Sequence, residues 1–332
     1  MRVAIDARKI RDFGIGTYIR GLIGGLLEIG EDTIVALAPA SAELPRGVEH
    51  VVVDAPHYSI RELLTVGRGV KADVFHAPHY VVPFTNLPAV VTIHDLIHLR
   101  ARNPIKRGYA RTMLRRAARH TVVTVTNAMK REIESTLGAK DVIVTPNGVD
   151  AHFTPAGPRR EGRYVLFVGS DRPHKNAGAA IEAAKRANVP LVLAGESFEY
   201  FDDLAPLYRG ALALVIPSIE EGFGLPALEA MACGTPVIAS NAAALVEVTG
   251  DAALHADARD VDGIASAIAR IANDASLRAQ LASRGHIIEI RPPWSEGHVL
   301  AVELNRDRSL LRGGCDPRGQ QVPSMPAATI GW

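Results

Sequence analysis

Short apolar runs recur at residues 3–7, 34–38, 51–53, 74–76, 90–94, 122–125 and 142–145, and again at 165–169, 191–194, 213–216 and 237–239. They are rich in β-branched residues, apolar at odd and even positions alike, and bounded by Gly, Pro or Asp. A strand with one wet face alternates between apolar and polar. A strand without alternation is covered on both faces, as in a parallel sheet flanked by helices. Between the runs the apolar positions take helical spacing, at 16–29, 109–119, 128–137, 177–187 and 226–233. The alternation predicts an α/β chain of doubly wound type.

The pattern breaks at "FTPAGPRREGR", residues 153–163, where Pro, Gly and charge read as a linker, and a fresh strand "YVLFVGS" follows. Two α/β domains are expected, residues 1–155 and 156–290. They would face each other across a cleft, with ligands beyond the carboxyl ends of the strands. Residues 291–332 form an irregular tail, with a helical pattern at 296–311 and a Gly/Pro-rich stretch at 313–332 expected to be poorly ordered.

Composition narrows the class. The chain has 332 residues, 47% hydrophobic, enough to bury two cores, and its net charge of +1 gives no bulk attraction to nucleic acid or membrane. Two distant cysteines, Cys233 and Cys315, make no disulfide framework and fit a reducing compartment. The opening "MRVAIDARKI" has strand length and lacks a signal peptide's pattern, and no uncharged apolar stretch would span a bilayer. The expectation is a cytoplasmic protein.

Candidate chemistry gathers at strand ends. In "FGIGTYIRG", residues 13–21, Gly14 and Gly16 open a helix whose unpaired N–H groups could cradle phosphate or sugar. Ile19 replaces the third glycine of a dinucleotide fingerprint, so a plain turn serves equally well. "VVTIHDLIHL" ends a strand with His94 and Asp95, where the histidine either donates to a ligand or is a satisfied structural group. His98 is placed outside the site. His76 and His79 follow another strand, but no His/Cys/Asp spacing resembles a metal site. "TPNGVD", residues 145–150, reads as a turn. In "VGSDRPHKN", residues 168–176, Arg172 and Lys175 precede a helix and could form an anion site, although most such lysines only meet solvent.

The most specific unit is "EEGFGLPALEAMACGTPVIAS", residues 220–240. Glu221 falls on a loop after a strand, Pro226 suits a first helical turn, Gly234 a helix end, and Glu229 stands one turn into the helix. Two carboxylates that accept hydroxyls thus flank a helix start that favours an anion, around Phe223, Gly224 and Leu225. That combination suits a nucleotide diphospho-sugar. A surface loop acid and a helix acid are the bland alternative.

With its ordered companions "GIGTYIRGL", "HAPHYVVPF", "VVTIHDLIHL", "TVTNAMKREI", "VTPNGVD" and "VGSDRPHKN", this unit resembles the E-x7-E signature of retaining glycosyltransferases of family 4, mannosyltransferase-like, with the GT-B fold. The resemblance covers residues 1–290. It implies that Glu229 holds the ribose and Glu221 the donor sugar, beside the backbone of Phe223, Gly224 and Leu225. Lys175 would neutralise the diphosphate, His94 would contact the sugar, and Gly14 and Gly16 would approach donor phosphate or acceptor. No cofactor or metal is implied, only a donor such as GDP-mannose or UDP-glucose and a glycan or lipid-linked acceptor. His174 stands where the family carries Arg, and Arg172 is the candidate replacement. The segment 195–208 looks abridged, lacking a helix and a strand. These departures leave open a catalytically impaired relative that binds nucleotide sugar or acts as a scaffold. A nicotinamide oxidoreductase is disfavoured, because the third glycine is missing and no acid closes the second strand.

From residue 100 to 128 there is no acid, and Arg107, Arg111, Arg115 and Arg119 recur every fourth position. On a helix they form one stripe, either a solvated face or a peripheral contact with anionic membrane.

Overall fold

A computed structural model describes residues 1–289. The first domain runs β1 (Arg2–Asp6), α1 (Ile15–Ile29), β2 (Thr33–Ala38), β3 (Glu49–Val52), α2 (Ile60–Thr65), β4 (Val74–Ala77), β5 (Ala89–Thr92), α3 (Pro104–Ala117), β6 (Thr121–Thr124), α4 (Asn127–Leu137) and β7 (Ile143–Val144). The second runs β8 (Val165–Val168), α5 (Ala177–Arg186), β9 (Leu191–Ala194), α6 (Ala205–Gly210), β10 (Ala213–Ile216), α7 (Leu225–Ala232), β11 (Val237–Ser240), α8 (Ala243–Thr249), β12 (Ala253–Ala256), α9 (Val261–Asn273) and α10 (Ala275–Glu289). The tail predicted to carry a helix at 296–311 lies outside the described residues.

Both sheets are parallel throughout, as the unalternating runs require. The first has seven strands in the order β3-β2-β1-β4-β5-β6-β7, the second five in the order β12-β11-β10-β8-β9. Helices cover both faces, so all four residues of β4, Val74 to Ala77, are buried. Phe75 and Phe167 fill the cores, and each such side chain gains about 1.5–3 kcal/mol from leaving water. The strand order reverses between β1 and β4 and between β8 and β10. Each reversal splays the following loops apart and opens a crevice at the strand ends.

Between β9 and β10 no further strand forms. A turn at Gly195, a single bridge from Ala194 to Glu199 and the short α6 close the gap, which accounts for the narrow second sheet. The linker is pinned: the Arg209 guanidinium donates to the carbonyls of His152, Thr154 and Pro158 at 2.6–3.2 Å.

The domains touch directly. Glu247 of α8 accepts from the backbone N–H groups of Asn127 and Ala128 at 2.6 and 2.7 Å, capping α4 across the interface. Arg100 bridges Glu132 of α4 and Glu220 of the second domain, at 2.8 and 2.6 Å. A hydroxyl bond runs from Thr126 to the Gly222 carbonyl at 3.2 Å.

Candidate active site

The β8 and β10 loops flank the crevice of the second domain, and the structure joins their two charged residues. Lys175 Nζ donates to both oxygens of Glu221, at 2.8 and 3.0 Å. The side chains are 24% and 13% exposed, so the pair is partly shielded yet reachable from the cleft. Arg172 does not join it. It is exposed and pairs with Glu196 at 3.3 Å. His174 is half-buried, and burial first and Lys175 second hold its imidazole below the usual range. The backbone is locked here, with the Ile219 N–H bonded to the His174 carbonyl at 2.8 Å.

Helix α7 begins at Leu225, capped by Gly224 at φ 102° with no side-chain cap. The Ala227 N–H donates to the Gly224 carbonyl at 2.8 Å and Pro226 has no N–H, so the N–H groups of Gly224 and Leu225 are the ones left for a ligand. Phe223 is buried and anchors the loop. Glu229 lies in the second turn, not the first, so it is no simple helix-start acid. Its Oε2 accepts the Tyr208 hydroxyl at 2.7 Å. Burial raises the Glu229 pKa while Tyr208 opposes the rise, and burial also drives the Tyr208 phenol well up. Tyr208 comes from α6, inside the segment whose shortness the sequence shows, and no local signal ties it to Glu229.

The first domain brings His94 against this loop. A side-chain carbon on Gly222 would sit 2.0 Å from the His94 carbonyl oxygen, so only glycine lets the two backbones meet. His94 Nε2 pairs with the Pro78 carbonyl at 3.1 Å, and its ring meets Tyr18 edge-on at 4.8 Å. Burial lowers its pKa. Tyr18 lies in the first turn of α1, which links His94 to the glycine loop. Gly14 caps α1 at φ 68° with open space around it. The space a Gly16 side chain would need is taken by the Ile10 carbonyl, 2.6 Å away. A cavity of about 150 Å³ lies between the domains, lined by Asp95, Leu96 and Met129 on one side and Ile219, Glu221 and Ala243 on the other. It reaches Glu221 and stops short of Lys175 and Glu229.

His98 belongs to an aromatic cluster of the first domain. It stands at the carboxyl end of β5, its ring 5.2 Å from Tyr80 and 6.4 Å from Tyr58, on the cleft side of the first sheet. The arginine stripe is shorter than expected. α3 ends at Ala117, so Arg107, Arg111 and Arg115 share its exposed face and Arg119 lies in the turn beyond.

Below the first crevice, Arg8 is buried between Asp6 and Glu62, at 2.6 Å from each. Burial alone would raise the Asp6 pKa, but Arg8 and His79 prevail and hold it well below the carboxylate range. His57, Glu62 and His79 bring their atoms within 4.8 Å of one another, the spacing of a metal site. The Val81 N–H donates to His79 Nδ1 at 3.2 Å, which places the neutral ring's proton on Nε2, facing Asp6 at 3.4 Å. That nitrogen has no free lone pair, so the trio does not fit an ion.

The chain is similar to known proteins over most of its length. Residues 14–153 match the model described as Glycosyltransferase Family 4, and residues 159–274 match Glycosyl transferases group 1. O-antigen chain mannosyltransferase B of Escherichia coli is 29% identical over 267 residues, covering 66% of this chain and 70% of that one. Among solved structures, a sucrose-phosphate synthase from Thermosynechococcus elongatus superposes with a TM-score of 0.76 at 18% identity, over 94% of this chain and all of that one. HepE of Anabaena, solved with UDP and glucose, gives 0.71 at 15%, over 92% of this chain and 100% of that one. The two facing domains are the GT-B fold.

Proposed function

We propose that this chain, which belongs to the group 1, family 4 glycosyltransferases, moves a hexose, mannose or glucose, from a nucleoside diphosphate sugar to a glycan or glycolipid acceptor, retaining the anomeric configuration. The observation that carries the reading is the Lys175–Glu221 pair at the β8/β10 crevice, just before the start of α7, the helix that carries Glu229. UDP bound to a structural neighbour, and mannosyl transfer in the name of a relative, support the donor class.

In this reading Glu229, held by Tyr208, accepts the ribose hydroxyls. Glu221 accepts sugar hydroxyls. Lys175 and the N–H groups of Gly224 and Leu225 take the diphosphate, so the charge that develops as it leaves is stabilised without a metal ion. The bond from the anomeric carbon to phosphate breaks as the bond to the acceptor oxygen forms on the same face. The acceptor's proton passes to the departing phosphate oxygen. His94, kept neutral by burial, contacts the sugar from the first domain.

Donor hydrolysis with UDP-glucose and GDP-mannose tested separately checks the reading. It fails if neither is bound or hydrolysed and Glu229→Ala changes nothing. A binding protein on a transferase frame is the second reading, favoured by the five-stranded sheet and by His174 in the phosphate loop. Nucleoside diphosphate binding without turnover would select it. No helix of the described residues is long and apolar enough to cross a membrane. The exposed face of Arg107, Arg111 and Arg115, with a groove lined by Arg115, Arg116, Arg119 and His120, supports peripheral contact with an anionic membrane carrying a lipid-linked acceptor.

A further inference from the structure

The first-domain crevice holds an aromatic group that the donor chemistry leaves unused. Tyr58 follows β3, Tyr80 follows β4 and His98 follows β5, so all three stand at the carboxyl ends of parallel strands. Tyr109 reaches them from α3. The Tyr58 ring centroid is 6.3 Å from Tyr80, 6.2 Å from Tyr109 and 6.4 Å from His98. Lys9, just past β1, places Nζ 5.4 Å from the Tyr58 centroid. Asp95, three residues before His98, lines the cavity that reaches Glu221.

Tyr58 is held there at a cost. Its φ is 60°, a left-handed conformation that a bulky side chain rarely adopts. The carboxylate of Glu62 enforces it. One oxygen is tied to buried Arg8 at 2.6 Å, and the other accepts the Tyr58 N–H at 2.6 Å. A buried ion pair thus fixes a strained backbone, and the product is an aromatic ring left 46% exposed beside the cleft. Strain sustained in this way concentrates at functional positions.

The chemistry around the ring defines what it can hold. Tyrosine faces carry negative charge density and attract the polarised C–H groups of a sugar ring, while the phenol ends meet hydroxyls. Tyr109 Oη is shielded from water and has no hydrogen-bond partner among the described residues. Arg8 is committed to two buried carboxylates, and Lys9 pairs with the half-exposed Asp12 at 3.1 Å. A neutral pyranose finds a stacking face in the half-exposed Tyr58 ring.

We propose that Tyr58, Tyr80, Tyr109 and His98 form a platform that binds an uncharged sugar ring of the acceptor. The proposal rests on the transferase reading for the word acceptor, but the sugar contact stands by itself and is tested apart from it. The experiment is saturation-transfer NMR on the full chain with methyl α-mannoside, methyl α-glucoside and inositol 1-phosphate as separate probes, with and without UDP or GDP. In parallel, tyrosine-labelled wild type is titrated with the same probes, so that the result does not depend on any variant folding. A methyl glycoside is expected to receive saturation at its ring protons and to shift tyrosine resonances. Tyr58→Ala should lower the transfer at least fivefold, and Tyr58→Phe, which keeps the stacking face, should restore most of it. The platform is refuted if no glycoside shifts a tyrosine resonance, if inositol 1-phosphate outcompetes both glycosides, or if a folded Tyr58→Ala transfers as wild type does. If a glycoside engages Tyr58 but the chain binds neither nucleotide, the sugar platform stands and the transferase reading falls. If a nucleotide binds and no glycoside engages, the reverse holds.

Discussion

Glu221→Gln removes one negative charge from the β8/β10 crevice and leaves the size of the side chain unchanged. Glu221 neutralises Lys175 at 2.8 Å. A diphosphate oxygen on the far side of the ammonium, at the usual charge-assisted distance of about 2.8 Å, would lie within about 5.6 Å of the carboxylate. Two unit charges at that spacing repel by about 0.7 kcal/mol in water and about 3 kcal/mol at an effective dielectric constant of about 20. The pair is partly open, so the lower part of that range applies, roughly 1 kcal/mol. A nucleoside diphosphate without sugar should therefore bind Glu221→Gln about five- to tenfold more tightly than wild type.

Sugar transfer moves the other way. A hydrogen bond to a charged group is worth about 1.5–3 kcal/mol, so losing the carboxylate proposed to accept donor hydroxyls should cut kcat/KM by about 10- to 150-fold. Titration calorimetry of UDP and GDP at low salt reads the first effect, and donor hydrolysis reads the second. Lys175→Ala should weaken the nucleotide in either background. The reasoning is refuted if the diphosphate binds Glu221→Gln no better than wild type while Lys175→Ala still loses affinity. Glu221 would then not be the charge that the diphosphate displaces.

Tyr208→Phe removes the bond that favours ionised Glu229, at about 1–3 kcal/mol. Burial holds the Glu229 pKa above its unfolded value, so the protonated form's share of stability is lost as pH rises through the folded pKa, and the carboxylate proposed to hold the ribose is lost as pH falls through it. The variant's acid limb of nucleotide affinity should move to higher pH, read by calorimetry from acid to neutral. Gly222→Ala puts a carbon 2.0 Å from the His94 carbonyl, backbone against backbone. Transfer should fall about 100-fold as the domains shift, and small-angle scattering should show a wider molecule. Arg8→Ala strands two buried carboxylates and should cost about 3–5 kcal/mol in chemical denaturation. Flotation with anionic vesicles should be lost in Arg111→Glu/Arg115→Glu, and equal flotation of wild type and variant would remove the membrane contact.

The parallel sheets could be read from the sequence because unalternating apolar runs leave no other economical way to cover both strand faces. Glu221, Phe223, Gly224 and Glu229 could be read because they lie within nine residues and share one strand-loop-helix unit. What stayed hidden depends on distance along the chain. Lys175 meets Glu221 across 46 residues, Tyr208 meets Glu229 across 21, and Arg8 meets Glu62 across 54. The sequence reading leaves His98 outside the site, and its position near Tyr58 and Tyr80 depends on a short helical turn, Ile97–Arg100, that periodicity does not show. One signal was available. Ser59 and Glu62 form a capping-box spacing, and the Ser59 hydroxyl does accept the Glu62 N–H at 3.1 Å. That spacing marks the start of α2 and the segment in which Tyr58 is strained, though not where its ring points.

The two crevices hold charge in opposite ways, and burial decides what each can bind. Arg8 and its carboxylates are at most 2% exposed. Breaking that group costs several kcal/mol, more than a weakly held ligand returns, so it acts as scaffold and positions Tyr58. Lys175 and Glu221 remain partly exposed, and such pairs are worth little more than about 1 kcal/mol. An anion can therefore take over Lys175 at small cost. The same loop-strand plan yields a fixed charge pair in one domain and an exchangeable pair in the other. An anionic donor belongs with the exchangeable pair, and a neutral sugar belongs beside the fixed one.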